Sequence, residues 1–509
     1  MDKKWWTLIV VCAATFMLLL DVTIVVVALP EIQKGLHTNF SDVQWVIDAY
    51  ALTLASLLLT AGSLADRYGR RLLFTIGLVI FTLGSLTCGL AQSPLMLILS
   101  RSAQGVGGAI MFSTSLALLA QSFQGKERGV AFGVWGAVTG VATALGPILG
   151  GVITSEISWR GIFLVNIPIG VIAIAVTLWK VDESLTPNAS RPDWLGFIFL
   201  TGGLVSLVYG LIDASVTSWS NSAVVICLIL AVVLIIVFGV NENRVAHPLF
   251  DLSLFRTPTF SGGLIAAFTM NGSLFAMLLY LVLYLQDDLG YSALATGVRL
   301  LLVSGCTLVS AVIAGRLSSH MPVRWLIGPG LLLVGIGLLL MAGITGTSSW
   351  THMIPGFLVA GIGSGMVNPP LASTAVGVVT PERSGMASGV NTTFRQIGIA
   401  TSIAGFGSIF TTSIRHHLTS SLASVPALAG RAPQVVTAIQ QGNAASVFKT
   451  VPASARGILA GAIHASFAGA LNDLLIVSGI LALVGAVCSV LLIRSKDFVS
   501  SHAATAPGH

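Results

Sequence analysis

The stretch WVIDAYALTLASLLLTAGSLADRYGRRLLFTIGLVIFTLGSLTCGLA, Trp45–Ala91, decides the fold. Two apolar runs, Trp45–Leu64 and Leu72–Ala91, flank a charged knot holding Asp66, Arg67, Arg70 and Arg71. A helix rises about 1.5 Å per residue, so about 20 apolar residues cross a bilayer core about 30 Å thick. Working outward, the same pattern places further spans at Trp5–Leu29, Leu95–Ala120, Val130–Thr154, Gly161–Trp179, Trp194–Ile212 and Ala223–Val240. Beyond them lie Phe260–Leu285, Leu294–Leu317, Leu326–Ile344, Met353–Val378, Met386–Ser413 and Leu471–Ile493, fourteen spans in all. The expectation is an all-α integral membrane protein.

Composition agrees. Of 509 residues, 55% are hydrophobic and 9% charged, far below the roughly 25% charged of a soluble surface. The net charge of +6 does not point to nucleic acid, because the basic residues follow the membrane. Connections on one side hold Lys3, Lys4, Arg67, Arg70, Arg71, Lys126, Arg128, Lys180, Arg191, Arg244, Arg256, Arg316, Arg324, Arg383, Arg494 and Lys496. Short connections on the other side hold little beyond Lys34 and Arg160. That asymmetry predicts that both termini are cytoplasmic; the location expected for the chain is the plasma membrane, the bacterial inner membrane. The first span is too long for a cleaved signal peptide. Cys12, Cys88, Cys227, Cys306 and Cys488 sit singly in spans, so no metal site or disulfide is expected. GIGSGMVNPP, Gly361–Pro370, lacks the lysine and preceding strand of a phosphate loop. Neither enzymatic chemistry nor a cofactor is expected.

Two internal echoes suggest a repeat. GSLADRYGRR at Gly62–Arg71 is answered by GRLSSHMPVR at Gly315–Arg324, and KERGVAFG at Lys126–Gly133 by PERSGMASG at Pro381–Gly389. The offsets agree within about three residues, so a six-helix unit recurs after eight helices. The expected division is a six-helix bundle at 1–185, two inserted spans at 186–245, and a second six-helix bundle at 246–509 with an extracellular hairpin at about 412–471.

Charges inside spans are costly and therefore candidates for function. Asp21, Asp48 and Arg101 are expected at similar depth in the outer half of the bilayer. Burial favours a protonated carboxyl and a nearby cation favours the ionised form, which makes such a group a proton switch. A static pair that only neutralises charge is the structural alternative. Asn391 and Arg395 fall near mid-membrane in the thirteenth span, where no second-half acid answers the arginine. Binding to carbonyls, to a wet cavity or to substrate all stay open. Arg299 is shallower, so snorkelling suits it.

The fifth span, GVWGAVTGVATALGPILGG, places Gly136, Gly140 and Ala144 at four-residue spacing, a face narrow enough for close helix packing, and Pro147 bends it. In the ninth span, Phe268, Asn271, Gly272 and Phe275 share a helical face, as do Tyr280 and Tyr284 further along, and such a face either lines an amphipathic pocket or packs against a neighbour.

Together these segments resemble the major facilitator superfamily, in particular its fourteen-span drug:proton antiporter branch (EmrB/QacA-like). GSLADRYGRR resembles the signature between helices 2 and 3, LILSRSAQGVGGA that of helix 4, and LDVTIVVVALP, QWVIDAYAL, WRGIFLVNIPIG, DWLG and TTFRQIG further features of the branch. Val26 departs from it where asparagine is common, leaving the polar partners of Asp21 open. The resemblance implies that Gly62, Asp66, Arg67, Gly69, Arg70 and Arg71 form a cytoplasmic lock of the outward-facing state. It makes Gly140, Gly146, Pro147, Gly150 and Gly151 the antiporter signature, and ties Arg101 to proton coupling. A monomeric exporter of amphipathic cationic or neutral compounds follows as the expectation, with protons as the exchanged partner and Phe268, Asn271, Phe275, Asn391 and Arg395 in the substrate cavity. An exporter of one endogenous metabolite and a non-transporting sensor are the rivals.

Overall fold

The computed structural model describes residues 2–123, 125–184, 193–245, 248–249, 251–318, 320–379, 384–423 and 453–498. Among the described residues there is no strand, and fourteen long helices carry the fold. They are α1 (Lys3–Leu36), α2 (Phe40–Tyr68), α3 (Arg70–Gly89), α4 (Pro94–Ser122), α5 (Gly125–Glu156), α6 (Gly161–Lys180), α7 (Trp194–Val216) and α8 (Ser222–Glu242). The second half supplies α9 (Pro258–Asp288), α10 (Ala293–Leu317), α11 (Arg324–Met341), α12 (Ile354–Val376), α13 (Ser384–Ala423) and α14 (Ala453–Leu492). Thirteen are long and apolar enough to cross a membrane. In α12, 23 residues long, four glycines, Asn368, Pro369 and Pro370 dilute the hydropathy.

Local chemistry sets the boundaries. Asn39 caps α2 by accepting from Asp42 N, and Ser93 caps α4 by accepting from Met96 N, with Pro94 in the first turn where a missing N–H costs nothing. Gly69 separates α2 from α3 at φ 116°, a conformation that glycine tolerates best.

The packing repeats with an eight-helix shift. In the first bundle α2 and α3 each pack on α4, α1 on α5, and α6 on α1 and α3. In the second, α10 and α11 pack on α12, α9 on α13, and α14 on α9 and α11. Two seams join the bundles, α2 with α13 and α5 with α10, and the shift exchanges one for the other. The inserted α7 and α8 pack on each other. α7 also lies against both α2 and α13, while α8 exposes Ile226, Ile229, Val232 and Ile236 to the surroundings.

Three features go beyond these expectations. α13 and α14 are each 40 residues, about 60 Å and roughly twice the bilayer core, so the arms of the expected hairpin are continuations of these helices. Its tip, with Arg431 and Lys449, lies outside the described residues. α9 is interrupted by π turns at Asn271–Phe275 and Tyr284–Asp288, which shift its helical register. In α5, Gly136 meets nothing where a Cβ would stand, so the close face does not include it.

The bundles meet at one end and part at the other. At the end opposite the basic connections, Gly151 packs on the Ala293 carbonyl, Gly297 on that of Pro147, and Leu294 N donates to Ser155 Oγ (3.0 Å). Toward the basic end of the same seam, Gly133 and Gly136 on α5 and Gly305 on α10 face open space. The α2–α13 seam stays closed further, to a contact of Leu59 with Gly389.

Candidate functional site

Asp21 of α1 and Arg101 of α4 form an ion pair through Oδ2 and Nη1, with side chains 0% and 2% exposed. Two charges this deep persist when every remaining donor and acceptor is occupied. Arg101 Nε donates to the Val46 carbonyl of α2 (3.1 Å) and Nη1 also to Gln104 Oε1 (2.9 Å). Gln104, three residues on and therefore on the same helix face, donates Nε2 to Asp21 Oδ1 (3.3 Å) and to Ser85 Oγ of α3 (2.6 Å). Asn166 of α6 donates Nδ2 to the same two oxygens, at 3.4 and 3.1 Å. The Tyr50 ring lies 4.2 Å from the guanidinium carbon. Five of the six helices of the first bundle thus meet at one buried charge pair.

This answers the question left by Val26: Arg101, Gln104 and Asn166 are the partners of Asp21. Gln104, Ser85, Asn166 and Tyr50 were not singled out from sequence, although Gln104 and Asn166 are polar residues inside apolar spans, which is the signal that identifies them.

Asp48 does not join the pair. It stands two residues before Tyr50, about 200° around α2, and so turns away from Arg101. Its face is the one that meets α13, where Gln44 Nε2 donates to the Ile403 carbonyl (2.9 Å) and the Ala55 carbonyl accepts from Thr393 (3.1 Å). Asp48 is 0% exposed and neither carboxylate oxygen has a hydrogen-bond partner.

Above it further side chains close the bundles, Tyr280 of the ninth-span face among them. Tyr280 Oη donates to the same Ile403 carbonyl (2.7 Å), Gly407 makes room for Gln44, and Gln286 Nε2 reaches across to the Val27 carbonyl of α1 (2.8 Å). The Tyr280 ring packs on Phe40, Phe406 and Phe410.

At the basic end, Asp66 pairs with Arg70 (2.8 Å) and Arg70 reaches Gln121 of α4 (3.5 Å). Arg71 Nη1 donates to the Val181 carbonyl (3.3 Å), and the Glu183 carboxylate accepts from the backbone N–H of Arg71 and Leu72 (3.0 and 3.1 Å). Each of these contacts joins parts of the first bundle. Arg67 lies over the Tyr68 ring, and Gly62 has only Ser113 near it, at 3.9 Å.

The small face of α5 serves two partners. Gly146 and Gly150 receive Thr23 and Ile24 of α1, whereas Gly140, Pro147 and Gly151 meet α10 of the other bundle.

In the second bundle Asn391 and Arg395 come together: Arg395 Nε donates to Asn391 Oδ1 and Nη1 to Asn368 Oδ1 of α12, both 3.2 Å. Of the ninth-span residues, Phe268 and Phe275 are partly exposed and Asn271 is buried. The backbone at Phe268 and Gly272 packs against Gly398 of α13, Asn271 spends Nδ2 on the Ala267 carbonyl (2.8 Å), and Phe275, the last residue of the π turn, packs against the core. Arg299 is stacked between Tyr291 and Trp350, its guanidinium carbon 3.7 and 4.8 Å from the ring centres.

The model of the Major Facilitator Superfamily matches residues 11–403. Multidrug resistance protein Stp of Mycobacterium tuberculosis is 35% identical over 404 residues, covering 79% of this chain and 75% of Stp. Puromycin resistance protein pur8 of Streptomyces alboniger is 35% identical over 83% of this chain and 86% of its own. The tetracenomycin C resistance and export protein of Streptomyces glaucescens is 30% identical over 97% and 92%. Among solved structures, a bacterial homolog of the human lysosomal transporter Spinster, inward-facing and unoccupied, superposes with a TM-score of 0.63 over 98% of this chain and 99% of that one, at 16% identity.

Proposed function

The chain belongs to the major facilitator superfamily, and from that premise we propose that it exports amphipathic, drug-like compounds in exchange for protons, as a monomer of the drug:proton antiporter branch. The basic end is taken as cytoplasmic in the plasma membrane by the charge asymmetry, so the structure is inward-open. Relatives named for resistance and export support the direction of transport.

The buried Asp21–Arg101 pair carries the coupling. Protonating Asp21 removes the negative charge that holds Arg101 between α1 and α4, and leaves Gln104 and Asn166 bonded to a neutral acid. The bundle is then free to settle differently against its partner. Asp48, on the seam with α13, is the second proton site: neutral, it suits a closed seam that offers its oxygens no donor. Substrate is held between the bundles and released outside when the seams at the far end open. A driving force of roughly 150 mV is worth about 3.5 kcal/mol per charge, enough for a gradient of several hundredfold.

Asp21→Asn is expected to abolish substrate-induced proton release in proteoliposomes. Wild-type coupling in that variant removes Asp21 from the mechanism. Because some relatives are named for single compounds, tetracenomycin C among them, export of one compound is the second reading. A resistance panel separates the two: protection against several unrelated compounds favours the first, against one only the second.

A further inference from the structure

We infer that Arg395 and Asn391 form the recognition point for an acidic group on the substrate, a carboxylate or phenolate, so that the preferred cargo is an amphipathic acid. The inference rests on the transport reading above and names its substrate class.

The exposure and pairing of the charges inside the spans decide it. Neither carboxylate of the first bundle's spans is free to pair with a cationic compound: Asp21 and Asp48 are both 0% exposed, the first neutralised by Arg101 and the second closed within the α2–α13 seam. Arg395 differs from both. It is partly exposed, and its two hydrogen-bond acceptors, Asn391 Oδ1 and Asn368 Oδ1, are neutral amides that leave its positive charge uncompensated. Asn391 is itself 4% exposed, and because its oxygen faces Arg395 its Nδ2 is left as a buried donor with no partner. A guanidinium with an unused Nη2 beside an unused amide donor lacks one thing, an acceptor bearing negative charge.

Position agrees with chemistry. Arg395 and Phe406 are eleven residues apart, three helical turns, and so lie on one face of α13. Phe406 packs on Tyr280 in the closed far end, ring centres 6.2 Å apart. Arg395 is therefore roughly 16 Å nearer the basic end, at mid-membrane on the side from which an inward-open exporter loads. An acidic cargo departs from the cationic or neutral one that the resemblance implies.

The test is equilibrium binding to the full-length protein in nanodiscs, read by energy transfer from tryptophan to three probes sharing one aromatic body: 1-pyrenebutanoate, its methyl ester, and 4-(1-pyrenyl)butyltrimethylammonium. Wild type is expected to bind the acid about tenfold or more tightly than the ammonium compound. Arg395→Gln should weaken the acid by about 10- to 100-fold and leave the ester within about twofold, whereas Arg395→Lys should keep the preference for acid over ester. A wild-type preference for the ammonium compound overturns the proposal without needing any variant, as does equal weakening of acid and ester in Arg395→Gln. Binding needs no proton gradient, so loss of coupled flux, which would sink the antiport reading, leaves this measurement intact.

Discussion

Gly151→Ala is expected to push the far end open. Its Cβ would stand 2.7 Å from the Ala293 carbonyl oxygen and 2.8 Å from Leu294 Cα, both backbone atoms that cannot swing aside. α5 and α10 must therefore retreat by roughly 0.6 Å to reach an ordinary contact, and overpacking of this kind costs about 1–3 kcal/mol. The contact joins the two bundles, so the cost falls on the conformation in which they touch there and not on one in which they have separated. The equilibrium should move roughly 5- to 150-fold toward the far-end-open state.

Gly136→Ala is the control, since a Cβ there meets nothing within 4 Å. Double electron–electron resonance reads the result, with nitroxides at the exposed Ile157 and Val298 in a background free of the five native cysteines. Gly151→Ala should lengthen the main distance or populate a longer one, and Gly136→Ala should leave it unchanged. A folded Gly151→Ala protein with the wild-type distribution, or an equal shift in the control, would refute the account of how the α5–α10 seam closes.

Two further outcomes follow from the geometry. Asp48→Asn should leave thermal stability within about 1 kcal/mol, because neither carboxylate oxygen receives a hydrogen bond, while efflux driven by a pH gradient falls about tenfold or more; unchanged efflux excludes Asp48 from the proton path. Gly69→Ala should lower stability by about 1–3 kcal/mol from the positive φ alone, with an added clash against the Glu183 carboxylate 2.8 Å away, and adding Glu183→Ala should restore only part of the loss in a thermal melt.

The helices were legible because lipid leaves backbone groups no partner outside a helix, so long apolar runs have one structural outcome. The repeat was legible through GSLADRYGRR and its echo, since similar loops end similarly packed helices. Pairwise geometry was not. Asp21, Asp48 and Arg101 have similar depth, but depth gives no azimuth, and the 200° between Asp48 and Tyr50 sends them to different interfaces. The π turn of α9 was not legible either: it lengthens the helical period over Asn271–Phe275, and nothing in an apolar pattern marks where that happens. Gly136 followed the right spacing in the wrong half of α5, where the conformation, not the motif, decides whether anything lies opposite.

The inserted helix pair explains why the two seams behave differently although the repeat relates them. In lipid, apolar surface gains little by leaving the solvent, so helices associate by packing and polar contacts. On the α2–α13 side a third helix adds to that packing: Leu200, Leu204, Val208 and Ile212 of α7 join Ala51 and Leu52 of α2 and Val390, Ala400 and Ala404 of α13 in one buried cluster. Trp45 of α2 reaches Tyr209 of α7 as well, ring centres 6.2 Å apart. The α5–α10 seam has two helices and a run of small residues, which hold only where the backbones touch. Parting the bundles there separates one pair, whereas parting them at α2–α13 must also strip α7 from one of its two neighbours. The wider opening on the α5–α10 side, with Gly133, Gly136 and Gly305 facing empty space while Leu59 still meets Gly389, is the result that this difference in packing produces.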